Sequence, residues 1–78
     1  MRPVSSEKAV KLIDLENTLV FEVPRRSSKE DVKKELQTIL GVKIESIRTL
    51  IRNNKKFAYV RLDASNQAAD VASKLGLM

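Results

Sequence analysis

Apolar and polar positions alternate with two different periods along the chain, and the changes of period mark out its elements. Ala9, Val10 and Ile13 recur at helical spacing behind Ser6. The Ser6 hydroxyl can accept from a first-turn amide, so a short helix is predicted there, fading at Asp14-Leu15-Glu16-Asn17. Thr18 to Val23 is rich in β-formers, with Leu19, Phe21 and Val23 on one face and Pro24 as its stop. A capping box from Ser27 to Glu30 opens a helix in which Val32, Leu36, Ile39 and Leu40 form the apolar stripe, and Gly41 ends it.

Beyond Gly41 the period is two again. Val42 and Ile44 share one parity, whereas Ile47, Thr49 and Ile51 share the other, so a bulge or bend is predicted near Glu45-Ser46. Arg52 to Lys55 reads as a turn. Lys56 to Leu62 then alternates, with Ala58, Val60 and Leu62 facing one way and Phe57, Tyr59 and Arg61 the other. Asp63 or Ser65 can begin a last helix with Ala68, Val71, Ala72 and Leu75 inward, closed by Gly76.

The resulting order, α-β-α-β-β-α, predicts an α+β fold: a small antiparallel β-sheet with helices packed on it, a relative of the ferredoxin-like or split β-α-β arrangement. The third strand is expected between the first two, with helices over 27–40 and 66–75 covering one face. Residues 1–78 are expected to make a single domain, because so short a chain buries only about 60% of its unfolded surface and cannot support two cores. There are no internal repeats or low-complexity runs.

Composition removes several functions. With no Cys and no His, the chain has neither disulfide staples nor thiolate metal sites, and it lacks the usual proton shuttle and thiol nucleophile. Its serines have no activating partner in the sequence. The carboxylate pairs Asp14/Glu16 and Glu30/Asp31 fall near helix ends, where they have ordinary roles, and neither fits a calcium loop. The two glycines follow apolar helices and cannot form a phosphate cradle. No enzymatic activity, cofactor, metal or small-molecule substrate is expected. Residues 1–8 lack a signal-peptide core and no stretch is long enough to span a membrane, so a soluble, cytoplasmic protein is expected.

Charge adds a direction. Fifteen Lys and Arg against ten Asp and Glu leave a net +5. Arg48, Arg52, Lys55, Lys56 and Arg61 lie between Ser46 and Leu62 with no acidic residue among them, so the whole excess sits in the predicted hairpin. A polyanion is the natural partner: the cations would neutralise phosphates, while Phe57 and Tyr59 offer flat faces either to a base or to a packing neighbour under the first helix. Asn53 and Asn54 at the tip join this candidate set. Arg25 and Arg26 flank a Pro-initiated turn before a helix N-terminus, where they could take a phosphate. Lys29 and Lys33 are weaker candidates, since mixed charges there also suit a solvated helix face.

Two resemblances sharpen this picture. Lys55 to Val60 is similar to the RNP1 signature of RNA-recognition motifs, with Lys56 where Gly is expected and Leu62 in place of the final aromatic. Such a domain begins with a strand and ends with a fourth one, whereas this chain begins with a predicted helix. It would be a free-standing module that binds single-stranded RNA. A fuller resemblance is to the large-subunit ribosomal protein twenty-three family in its short archaeal form. It is carried by Arg2-Pro3, Ser6-Glu7-Lys8-Ala9, Asn17 with Leu19, Phe21 and Val23, Lys33-Lys34, Val42-Lys43-Ile44, Thr49-Leu50, Lys55-Lys56 with Ala58-Tyr59-Val60, and Val71-Ala72 with Leu75-Gly76-Leu77. That resemblance implies a structural constituent of the large ribosomal subunit, bound to large-subunit rRNA at the rim of the exit tunnel beside ribosomal protein twenty-nine. Arg2 and Lys8 would join the RNA contacts. It also implies that Ser6, Glu7 and Lys8 lie where ribosome-associated chaperones or the signal recognition particle dock. Bacterial members carry a long basic extension between the hairpin strands, and here about four residues fill that place.

Overall fold

The computed structural model describes residues 1–76, so Leu77 and Met78, including the Leu77 of the last resemblance segment, lie outside the described residues. Every predicted element forms, together with one strand that periodicity does not predict. The order is β1 (Arg2–Pro3), α1 (Glu7–Glu16), β2 (Thr18–Val23), α2 (Lys29–Leu40), β3 (Ile44–Arg52), β4 (Lys55–Leu62) and α3 (Ala68–Lys74). The four strands make one antiparallel sheet in the order β1-β2-β4-β3, which places β4 between β2 and β3 as expected. The extra strand pairs Arg2 with Glu22 and Pro3 with Phe21, and the Val4 amide extends the ladder by donating to the Val20 carbonyl at 2.9 Å. It fills the sheet edge beside β2, so the fourth strand position of a split β-α-β sheet is taken by the N-terminus.

Local chemistry explains most element ends. The Ala9 amide donates to Ser6 Oγ at 3.2 Å, which caps α1 as predicted. The capping box of α2 lies one residue later than expected: the Asp31 amide donates to Ser28 Oγ and the Ser28 amide to Asp31 Oδ2. Two serines followed by two acids allow either register. Here Ser27 instead closes the preceding turn, its amide donating to the Pro24 carbonyl. Gly41, at φ 63°, ends α2 in the left-handed conformation. The hairpin turn is a two-residue one with Asn53 at φ 51° and Asn54 at φ 63°, the mirror-image turn that suits strand twist. The predicted bulge is present, because Ile44 pairs with Leu62 while Ser46 pairs with Arg61, leaving Glu45 out of the ladder.

The core occupies the side of the sheet that α2 and α3 cover. Leu19, Phe21 and Val23 of β2 and Ala58, Val60 and Leu62 of β4 meet Val32 and Leu36 of α2 and Ala68, Val71 and Ala72 of α3. Two expectations about helix faces fail here. Ile39 is 64% exposed and leaves the α2 stripe to Val32 and Leu36, with Leu40 packed at its margin. Neither Asp63 nor Ser65 caps α3: the Asp63 carboxylate instead accepts from the Ser65 amide and hydroxyl, closing a local turn.

The cap of α3 comes from Asn17, fifty-one residues earlier. Asn17 ends α1 at φ 51° with its amide donating to the Leu12 carbonyl. Its Nδ2 donates to the carbonyls of Leu62 (3.2 Å), Asp63 (3.4 Å) and Asn66 (2.8 Å), and its Oδ1 accepts from the Ala68 amide at 2.7 Å. One half-buried amide thereby joins the end of α1, the end of β4 and the start of α3.

Candidate nucleic-acid interface

Side chains alternate across a strand, so the register decides which cations share a surface. On the face away from α2 and α3, Arg48 lies opposite Tyr59, Leu50 opposite Phe57 and Arg52 opposite Lys55, while Arg61 follows Tyr59 on the same side. Glu22 lies opposite Phe57 from the other flank, and Arg2 opposite Glu22. This face therefore gathers Arg48, Arg52, Lys55, Arg61, Phe57 and Tyr59 from the two strands of the hairpin and Arg2 from the distant N-terminal strand.

Lys56 does not belong to it. It lies opposite Val23 and Ile51 on the helix-covered side, and its ammonium donates to the Ser27 carbonyl at 2.6 Å. That bond ties the base of β4 to the turn before α2, so Lys56 is a structural cation rather than a member of the cationic face. Arg25 and Arg26 are exposed in the turn after β2, at the end of the sheet where Val23 pairs with Lys56, the same end as the hairpin tip. The Ser28 and Asp31 amides at the adjacent helix start are already engaged in the capping box, so an anion there would depend on the guanidinium groups. Lys29 and Lys33 are exposed on α2 and line a shallow groove with Ile44 to Ile47 at the β3 edge.

The free charge on the face is narrower than the count of cations. Glu22 takes Arg2 at 2.8 Å and faces Lys55 at 4.0 Å. The Arg2 hydrogen bond holds the Glu22 carboxyl below its ordinary pKa, with the Arg2 and Lys55 charges adding to the effect. Glu45, released by the bulge, reaches Arg61 at 4.0 Å. Among the described residues Arg48 and Arg52 make no salt bridge, and both are exposed. Asn53 and Asn54 are exposed at the tip beside Arg52.

Helix α1 gives this face its relief. Ile13 joins the main core, whereas Ala9 and Leu12 line a groove on the other side with Val20, Phe57 and Tyr59. Phe57 and Tyr59 are consequently half-buried, neither sealed into a core nor fully free. Lys8 and Arg52 also line this groove. The candidate docking residues lie at the start of the same helix: Ser6 caps it, Lys8 is exposed, and Glu7 is exposed with its carboxylate 3.9 Å from Lys11.

No group of three or more His, Cys, Asp or Glu residues among the described residues could hold a metal ion. No helix among them is long and apolar enough to cross a membrane. What the face offers is cationic and aromatic, the combination that engages phosphates and bases.

Comparison with known proteins settles the ancestry of this arrangement. Residues 1–71 match the sequence model of ribosomal protein L23. The chain belongs to the ribosomal protein L23 family. It is 43% identical over 77 residues to the large ribosomal subunit protein uL23 of Trypanosoma brucei brucei, an alignment covering 97% of this chain and 47% of that relative. The chain thus spans about half the length of the curated relative it matches. Membership of a ribosomal-protein family agrees with the expectation of a non-enzymatic chain and accounts for the resemblance segments from Arg2 to Val71 as one pattern rather than scattered matches.

Sequence reasoning missed the wall supplied by Leu12 and Val20 and the cross-linking role of Asn17. Leu50 was visible as the residue between Arg48 and Arg52 on the outer parity. The contribution of α1 to this face was not, since it depends on how the helix returns to the sheet.

Proposed function

We propose that this chain is a structural constituent of the large ribosomal subunit, bound in the cytoplasm to large-subunit rRNA through the outer face of its sheet. The observation that carries this reading is the pairing of L23 family membership with a sheet face on which Arg48 and Arg52 have no carboxylate partner. Unpaired arginines on a rigid strand meet phosphates without first breaking an ion pair, and counterion release rewards such contacts. Lys8, Lys55, Arg61, Asn53 and Asn54 extend the contact, and Arg25, Arg26, Lys29 and Lys33 add further cations in the turn after β2 and on α2.

The two-residue turn between β3 and β4 leaves no room for a long tunnel-entering extension. This supports the short form of the family, which the resemblance implies for archaeal and eukaryotic members. On the same resemblance we place the chain at the rim of the exit tunnel next to ribosomal protein twenty-nine. Ser6, Glu7 and Lys8 then stand at the approach of the signal recognition particle or a ribosome-associated chaperone. Glu7→Lys would weaken that recruitment without loosening rRNA; equal recruitment by both ribosomes would count against it.

A free-standing single-strand module is the competing class, but the half-burial of Phe57 and Tyr59 beside α1 fits an open stacking platform poorly. Cofractionation separates the two. A ribosomal constituent stays with the large subunit through a high-salt wash, and release into the supernatant would defeat the proposal.

A further inference from the structure

The groove between α1 and the sheet is a built feature that phosphate binding alone does not use. It is half open to solvent and offers about 190 Å³, below the ~300–1,000 Å³ typical of pockets for drug-sized ligands and suited to a single ring system. Its walls are mainly apolar or aromatic, with Leu12 from α1, Val20 from β2, Leu50 from β3 and Phe57 and Tyr59 from β4, and Ser6 is the one uncharged polar side chain apart from the Tyr59 hydroxyl. Lys8 and Arg52 reach it from opposite elements, and no carboxylate lines it. A phosphate would need the cations but not the apolar walls. An apolar protein side chain would need the walls but not two cations. A nucleotide needs both.

We propose that this groove receives one unstacked nucleobase of folded rRNA, packed against Phe57 and Tyr59, with its flanking phosphate taken by Lys8 and Arg52. The proposal rests on the rRNA reading above and adds to it a single-base site. Folded RNA presents such bases in loops and bulges, where they are free to stack on aromatic rings. The half-burial of Phe57 and Tyr59 follows from the same arrangement: α1 makes the site a slot for one base, whereas an open sheet would accept a run of them.

The test uses the full chain with two RNAs, a large-subunit rRNA transcript and a fully paired RNA duplex, with the salt dependence of binding as a second readout. Phe57→Leu and Tyr59→Leu keep apolar volume and remove the aromatic face. Each is expected to weaken binding to the rRNA transcript by roughly five- to a hundred-fold, the range of one lost stacking contact. Neither removes a charge, so the salt slope stays at the wild-type value. Binding to the duplex, which has no unstacked base, is unchanged. Ultraviolet irradiation of the wild-type complex gives a second measurement independent of any variant, with a nucleotide adduct expected on the peptide carrying Phe57 and Tyr59. Adducts confined to other peptides while the transcript remains tightly bound would overturn the base site and leave the rRNA reading standing. Wild-type affinity of both leucine variants for the transcript would do the same. Equal wild-type affinity for transcript and duplex would overturn the base site, whereas release of the protein from the large subunit at high salt would remove the rRNA reading itself.

Discussion

The two faces of β4 are made by neighbouring residues and have opposite environments. Ala58, Val60 and Leu62 are 0–1% exposed beneath α2 and α3, while Phe57 and Tyr59 are half-buried and Arg61 is exposed on the other side. The period-two geometry of a strand lets one segment hold the fold together and present a binding surface at once. The difference lies in what covers each face: two helices close one side, and α1 covers only part of the other. Stability and RNA affinity should therefore respond to different residues only one position apart.

The largest effect is expected at Leu62. Leu62→Ala opens a cavity in the closed face and should cost about 4 kcal/mol in chemical denaturation, against a total of roughly 4–12 kcal/mol for a domain of this size. Arg61→Gln, next along the strand, should stay within about 0.5 kcal/mol of wild type. Similar losses at both positions would erase the contrast between the faces.

Asn17→Ala comes next. It strips the α3 cap and the donors to three carbonyls, and a loss of about 2–3 kcal/mol is expected. Urea unfolding would measure this, and a wild-type midpoint would show that water replaces the amide at no cost. Lys56→Gln, on the closed side, should lower stability by about 1 kcal/mol through its bond to Ser27 and leave the salt slope of RNA binding untouched.

The smallest effect concerns pH. Hydrogen bonds hold three carboxyls below their ordinary pKa: Glu22 by Arg2, Asp31 by the Ser28 amide and hydroxyl, and Asp63 by the Ser65 hydroxyl and amide. A carboxyl with a depressed folded-state pKa stabilises above its unfolded value and loses that contribution as pH falls through the folded one. Denaturation midpoints should thus hold from neutrality to about pH 5 and decline below it toward about pH 3, and Asp31→Asn should make that decline shallower. An unchanged slope in the variant would remove the Asp31 cap from the list of causes.

The sequence displayed most of this architecture because its signals were local. The alternation through Leu62 and the parity change at Glu45 each predict their own outcome. The two-residue strand β1 has no periodicity to display, and it exists only because Glu22 and Val20 offer partners across the sheet. Asn17 looked like the fading end of a helix, since its partners lie 45 to 51 residues away. Lys56 was legible in principle. It stands two residues before Ala58 and so belongs to the inward parity, but grouping the hairpin cations by charge alone hid that. Pairing narrowed the cationic set in the same way, since Glu45 lies just outside the acid-free segment and returns to Arg61 through the bulge.

The central claim is that the outer face, and Arg48 with Arg52 above all, holds the rRNA. Its most direct test is the dependence of binding to a large-subunit rRNA transcript on salt concentration, measured for wild type, the double variant Arg48→Gln/Arg52→Gln, and Lys56→Gln. The double variant should bind more weakly with its logarithmic salt slope reduced by about 2, one per lost phosphate contact, while Lys56→Gln keeps the full slope. A full slope in the double variant, or an equal reduction in Lys56→Gln, would contradict the account.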